Sequence, residues 1–345
     1  MNNRRSFDSI TGLKGLFIMV IVFLHTLPDT PLVNSIPFTS FLKNYGAIFG
    51  NSMFFMISGF LMGCSYRERI HNGEVSFQDF FVRRLKKLYP MYFASNLVML
   101  VLQILIYDVS VIDLEKIVFT VLLQHGGGIG DGAPYNGSTW FISALFVCYI
   151  VFFYISYAAR HNTQYYFMVA ACVVLGYYRM SGILQIPFPE GISFVNFFLG
   201  CAIAEIYPVI HRKLGKKLWI GSGALLLVSG YLMLDYGVEI ICGDSRTAFV
   251  FWFCPLILLL ALETNPVSAI LGSKPMGALG KISVSVYYWH MVVYFAFEYV
   301  CNKMAPGHGI RDTEFVIYLA VMFAVCILIE WAWNHRTKTT PRPIP

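Results

Sequence analysis

Charge is scarce in this chain. Of its 345 residues only 13% are Asp, Glu, Lys or Arg, about half the share usual in soluble domains. A globule of this size with so little polar surface would expose large apolar patches, and the same shortage excludes a disordered chain or a coiled coil. Metal-like cysteine spacing is also missing. The eight cysteines contain no CxxC pair, and most lie inside apolar runs, where a thiol is a small hydrophobe. Cys242 and Cys301 fall on one expected outer face, where a pairing stays open. No serine sits in a nucleophile-elbow context and no His/Cys/carboxylate cluster has ligand spacing, so no metal site is expected. The tract Gly126-Gly127-Gly128-Ile129-Gly130 follows no strand and does not read as a phosphate cradle.

What the chain does have is apolar residues, at 57%, with aromatics at 17% and a mean hydropathy of +0.63. These figures define an all-α polytopic membrane protein. Ten stretches approach the length of a spanning helix: 12–28, 46–65, 88–107, 138–158, 165–181, 193–210, 217–236, 247–263, 279–301 and 314–334. Segment 115–124 is too short to span and reads as a re-entrant or interfacial helix. The net charge of +6 sits in short clusters between apolar runs, a pattern of topology and not of nucleic-acid binding. With both termini cytoplasmic, 19 of the 25 lysines and arginines fall on the inner side, as the positive-inside rule requires. The first run carries Lys14 and His25 and has no small-x-small cleavage site, so a retained helix is expected, not a signal peptide. Residues 1–335 form one expected transmembrane domain and 336–345 a short cytoplasmic tail, with no soluble extension at either end.

Ionisable groups at membrane depth are costly and point to function. Lys14 and His25 are 11 residues apart, about 20° from a whole number of turns and about 16 Å along a helix axis. They share one face, with Lys14 near the cytoplasmic entrance and His25 deeper. Two readings stand. Either His25 is a general base, or Lys14 snorkels while His25 satisfies an interhelical hydrogen bond. Ser58-Gly59 in the second span allows close backbone approach to a neighbour. Arg83, Arg84, Lys86 and Lys87 enter the third span just before Pro90, which fits a first helical turn. They read as positive-inside charge or as an anion site. Trp140 opens the fourth span at the outer face, and Tyr287-Tyr288-Trp289-His290 falls in the cytoplasmic half of the ninth. Glu205 and Glu330 near the inner face, and Asp235 and Glu298 near the outer, read as proton relays or as paired helix-end charges.

Together these elements resemble the acyltransferase-3 family of integral-membrane enzymes. The resemblance rests on Lys14-x10-His25, on Phe54-Phe55-Met56-Ile57-Ser58-Gly59-Phe60-Leu61, and on Arg84-x-x-Lys87-x-x-Pro90 with Lys in the second basic place. It rests further on Trp140-Phe141-Ile142-Ser143 and Tyr287-Tyr288-Trp289-His290, in an order that covers nearly the whole chain. Two departures stand out. The stretch Ser143-Ala144-Leu145-Phe146 has no glutamate where many members have one, and the appended extracytoplasmic hydrolase-like domain of some members is not seen, so the protein is expected to act alone or with a separate partner.

The resemblance implies an O-acyltransferase of the bacterial cytoplasmic membrane. It would move an acetyl or other short acyl group from acyl-CoA, a co-substrate and not a bound cofactor, to a hydroxyl of a cell-envelope glycan or lipid-linked saccharide. His25 would be the catalytic base or acyl acceptor. Arg83, Arg84 and Lys87 would hold the donor phosphates and Lys14 would guide the pantetheine end, with Ser58, Trp140, Trp289 and His290 also in the binding region. The competing expectations are a transporter or flippase for a lipid-linked sugar and a sensory or structural membrane protein. No internal repeat or matched pair of Gly/Pro-broken helices supports the first.

Overall fold

The computed structural model describes residues 7–125, 133–184, 191–214, 228, 245–307 and 309–339. Among these all regular structure is helical. The expected seventh span at 217–236 (apart from residue 228), the glycine tract, Asp235 and Cys242 lie outside the described residues, and Cys301 forms no disulfide within them. The elements are α1 (Asp8–Thr26), α2 (Pro31–Ser35), α3 (Pro37–His71), α4 (Phe77–Tyr107), α5 (Leu114–Val121), α6 (Trp140–Ala158), α7 (Asn162–Met180), α8 (Gly191–Leu214), α9 (Ser245–Ala261), α10 (Pro266–Leu271), α11 (Lys274–Met304) and α12 (Asp312–Thr339). Six described helices, within α1, α3, α4, α6, α8 and α12, are long and apolar enough to cross a membrane, and a shorter apolar stretch, Trp252–Ala261, lies in α9.

Glycines set two close helix contacts. Gly15 of α1 lies against Gly280 of α11, and a Cβ on Gly280 would strike the backbone of Thr11. Small residues let backbones approach where packing, and not water exclusion, holds helices together. Gly59 of α3 and Gly200 of α8 do the same, each facing backbone of the other helix at Phe197 and Met56. The close approach expected at Ser58-Gly59 is therefore to α8. Contacts fix the helix directions. Phe17 stacks on Phe49, 5.7 Å between centroids, and Phe7 lies 5.2 Å from Phe60, so α3 runs antiparallel to α1. α11 is parallel to α1, since Gly15 meets Gly280 and ten residues later His25 meets His290.

One end of the bundle collects the start of α1, the end of α3 and the start of α4, and is called here the basic end. There Arg67 Nε lies 3.5 Å from Glu205 Oε1 and its guanidinium sits 4.7 Å over the Tyr165 ring. This pair joins α3, α7 and α8, so Glu205 is a charge with a partner, although it lies inside α8 and not at its end.

The third span departs from expectation at its start. α4 begins at Phe77, behind a Ser76 cap whose hydroxyl accepts from the Asp79 amide. Pro90 is thus inside the helix and not in its first turn, and the basic cluster lies on helix that extends past the apolar run. The cap decides the start, because it satisfies amides that would otherwise be orphaned. α5 turns back along α4, with the Tyr92 and Tyr89 hydroxyls donating to the Thr120 and Val121 carbonyls at 2.8 and 2.9 Å.

Candidate functional site

α1 carries the two expected residues to opposite ends of one face. At the basic end, Lys14 and Lys87 line the same cavity of about 730 Å3, together with Ser285 of α11 and Glu330 of α12. Glu330 is held there: Ser285 donates to one carboxylate oxygen at 2.5 Å and the Asn334 amide to the other at 3.1 Å. Met91 closes part of the inner wall.

Toward the far end of α1, His25 meets His290, with ring centroids 5.4 Å apart and planes inclined by 47°. His25 is exposed and His290 fully buried. Nδ1 of His25 donates to the Ile21 carbonyl at 2.8 Å, and Nδ1 of His290 to the Val286 and Tyr287 carbonyls at 3.0 and 2.9 Å. A carbonyl only accepts, so in each neutral ring the proton is on Nδ1 and the lone pair on Nε2. Nε2 of His290 is buried without a hydrogen-bond partner. His290 is near the middle of α11 and level with His25, because the parallel packing of α1 and α11 matches their positions along the bundle.

The other expected residues divide between these two regions and a third. Arg83 is exposed and does not line the cavity. Arg84 turns away from it into an aromatic cage, 4.7 Å over Tyr66 and 5.9 Å from Tyr149, and Ser58 stands beside the Tyr149 hydroxyl. Trp140 packs on Phe55 at the head of α6, 6.3 Å between centroids. Trp289 is half-buried, with its indole N–H unpartnered.

A polar knot next to the histidines escaped the sequence reading. Asn136 is fully buried; its amide donates to the Tyr288 carbonyl at 2.8 Å, and its backbone N–H donates to Asn96 Oδ1 at 2.9 Å. Asn96 in turn donates to Thr139 Oγ1 at 3.0 Å, and the Tyr287 hydroxyl donates to the Ser138 carbonyl. The turn before α6 is thereby tied to α4 and to the His290 segment. An asparagine within the apolar third span was the available signal.

The bundle thus has a basic cavity at one end of α1 and, farther along it, His25 paired with His290 of α11. The chain matches the family described as an acyltransferase domain over residues 7–331, and it belongs to the acyltransferase-3 family. Among curated proteins it is similar to the O-acetyltransferase OatA of Staphylococcus aureus strains NCTC 8325 / PS 47, COL and MRSA252. Each is 22% identical over 293 residues, covering 76% of this chain and 48% of the relative. The chain thus spans about half the length of the curated relatives it matches. No solved structure matches it significantly.

Proposed function

We propose that this protein is a membrane O-acyltransferase that moves an acetyl or other short acyl group from acyl-CoA to a hydroxyl of a cell-envelope glycan or lipid-linked saccharide. The observation that carries the reading is the placement, on one face of α1 in an acyltransferase-family chain, of Lys14 in a basic cavity and His25 beside His290. The basic end faces the cytoplasm, both termini are cytoplasmic, and the chain crosses the cell membrane ten times. Helix direction supports that count: α8 packs parallel to α3, as Ser52–Asn196 and Gly63–Ala204 contacts require. α9 packs antiparallel to α1, with Phe253 on Phe17 and the Leu260 carbonyl on Ser9. Both helices therefore run toward the basic end.

In this mechanism Lys14 and Lys87 attract the anionic donor, and Arg83 and Arg84 add positive potential beside them. The acyl arm runs along α1 toward His25, in the region bounded by Ser58, Trp140 and Trp289. His25 Nε2 removes the proton of the acceptor hydroxyl as its oxygen attacks the thioester carbonyl. The C–S bond then breaks, and the leaving thiolate recovers the proton from His25. A positioned base of this kind contributes about 10²–10⁴ in rate.

The test uses inside-out vesicles with wild type or His25→Ala at matched expression and acyl-labelled acetyl-CoA. Label in extracted glycan or glycolipid that depends on His25 is the expected result. Equal transfer by both proteins would remove His25 from the chemistry, and no transfer with any short acyl-CoA or added acceptor would defeat the enzyme reading.

A further inference from the structure

The cavity that holds Lys14 and Lys87 is lined by two more lysines, Lys274 and Lys281, both exposed and both on α11. They are seven residues apart, two turns of helix or about 10.5 Å along the axis, and so point from one face. Between them the wall is made of Gly277 and Ala278, and a Cβ at Gly277 would meet nothing within 4 Å. The space in front of the lysines is therefore open. Among the described residues none of the four lysines forms an ion pair, and Glu330 is engaged by Ser285 and Asn334. Two carboxylates, Asp8 and Glu330, share the cavity with the four lysines, and the excess of positive charge that remains favours an anion of several charges. The N-terminal turn of α11, which has no side-chain cap, adds its dipole in the same sense.

We infer that Lys274 and Lys281 are the phosphate-binding residues of a nucleotide site in this cavity, which takes the phosphorylated adenosine end of the acyl-CoA. The inference rests on the acyl-CoA reading above and assigns the phosphates to residues that reading does not use. Order along the helix gives each lysine a role. The acyl arm leaves the nucleotide from its pyrophosphate and must lead toward His25, so the pyrophosphate lies deeper than the 3′-phosphate. Lys281 contacts the pyrophosphate, and Lys274 at the mouth contacts the 3′-phosphate. Arg84, whose guanidinium lies over the Tyr66 ring, contacts neither.

Binding to the detergent-solubilised full-length protein separates the outcomes, with labelled CoA and dephospho-CoA as probes and phosphatidylglycerol micelles as the lipid arm. Lys281→Gln is expected to weaken both nucleotides about tenfold, as loss of one charge-assisted contact does. Lys274→Gln weakens CoA about tenfold and leaves dephospho-CoA unchanged. Lys303→Gln, at the other end of α11, changes neither. Lys274→Arg and Lys281→Arg keep binding, and their loss of it would overturn the charge assignment. Unchanged CoA affinity in both glutamine variants overturns this site and leaves the acyl-CoA reading standing. No CoA binding by wild type overturns that reading together with the site. Lysine-dependent binding of phosphatidylglycerol that CoA fails to displace makes the cavity a lipid-phosphate site and overturns the nucleotide assignment.

Discussion

The imidazoles of His25 and His290 face each other with centroids 5.4 Å apart, each anchored through Nδ1 to a carbonyl of its own helix one turn back. That anchoring fixes the tautomer of both neutral rings and leaves both Nε2 lone pairs for chemistry. One ring is exposed and the other is sealed in the core, so the two are not equivalent. In the proposed reaction His25 is the ring that meets substrate, and His290 packs behind it.

For His25→Gln, turnover with acetyl-CoA is expected to fall by about 10²–10⁴ while affinity for CoA holds. Parallel measurement of transfer rate and CoA binding checks this; a matching loss of affinity would make His25 a binding residue instead.

His290→Leu should separate stability from activity. Nε2 of His290 is buried and unpartnered, a condition that costs about 1–3 kcal/mol. The leucine variant is expected to melt at higher temperature than wild type and to turn over more slowly, because the ring beside His25 is gone. Thermal unfolding in detergent together with vesicle transfer assays gives both readouts.

Gly280→Val is expected to fail at the level of the fold. The added side chain would collide with the Thr11 backbone, and overpacking of this kind costs about 1–3 kcal/mol or more. Gly277→Ala, three residues away with open space in front of it, should fold as well as wild type, since alanine favours helix over glycine. The yield of monodisperse protein from membranes distinguishes the two.

Glu205→Gln removes the partner of a largely buried Arg67 and should destabilise the protein by about 2 kcal/mol. Its CoA affinity should not change, because the pair joins α3, α7 and α8 away from the cavity. A lowered melting temperature with wild-type CoA binding is the expected pattern.

The sequence was most informative wherever one helix carried the whole argument. Lys14 and His25 could be set on one face by spacing alone, and the short segment near residue 115 could be read as unable to span because length is a local property. Ser58-Gly59 announced a close helix contact without revealing that α8 supplies it. Partners contributed by other helices were harder to see. Asn96 and Asn136 are 40 residues apart in the chain, and nothing local shows that one receives the other's backbone N–H. Arg84 and Lys87 read as one basic cluster, yet a three-residue step leaves two side chains about 60° apart around a helix. That offset sends Lys87 to the cavity and Arg84 to the Tyr66 ring. Ser76 likewise moved the start of α4 well upstream of the apolar run, since a cap and not hydropathy decides where a helix begins.

The parallel register of α1 and α11 has a consequence for how such a chain can vary. Each helix counts the same ten residues from its glycine crossing to its histidine, Gly15 to His25 and Gly280 to His290. Inserting or deleting one residue in either segment would swing one ring by about 100° and shift it by about 1.5 Å against the other. These two stretches are therefore locked to a common length. Loops between helices can grow or shrink freely, but within these segments a change survives only if both helices make it together.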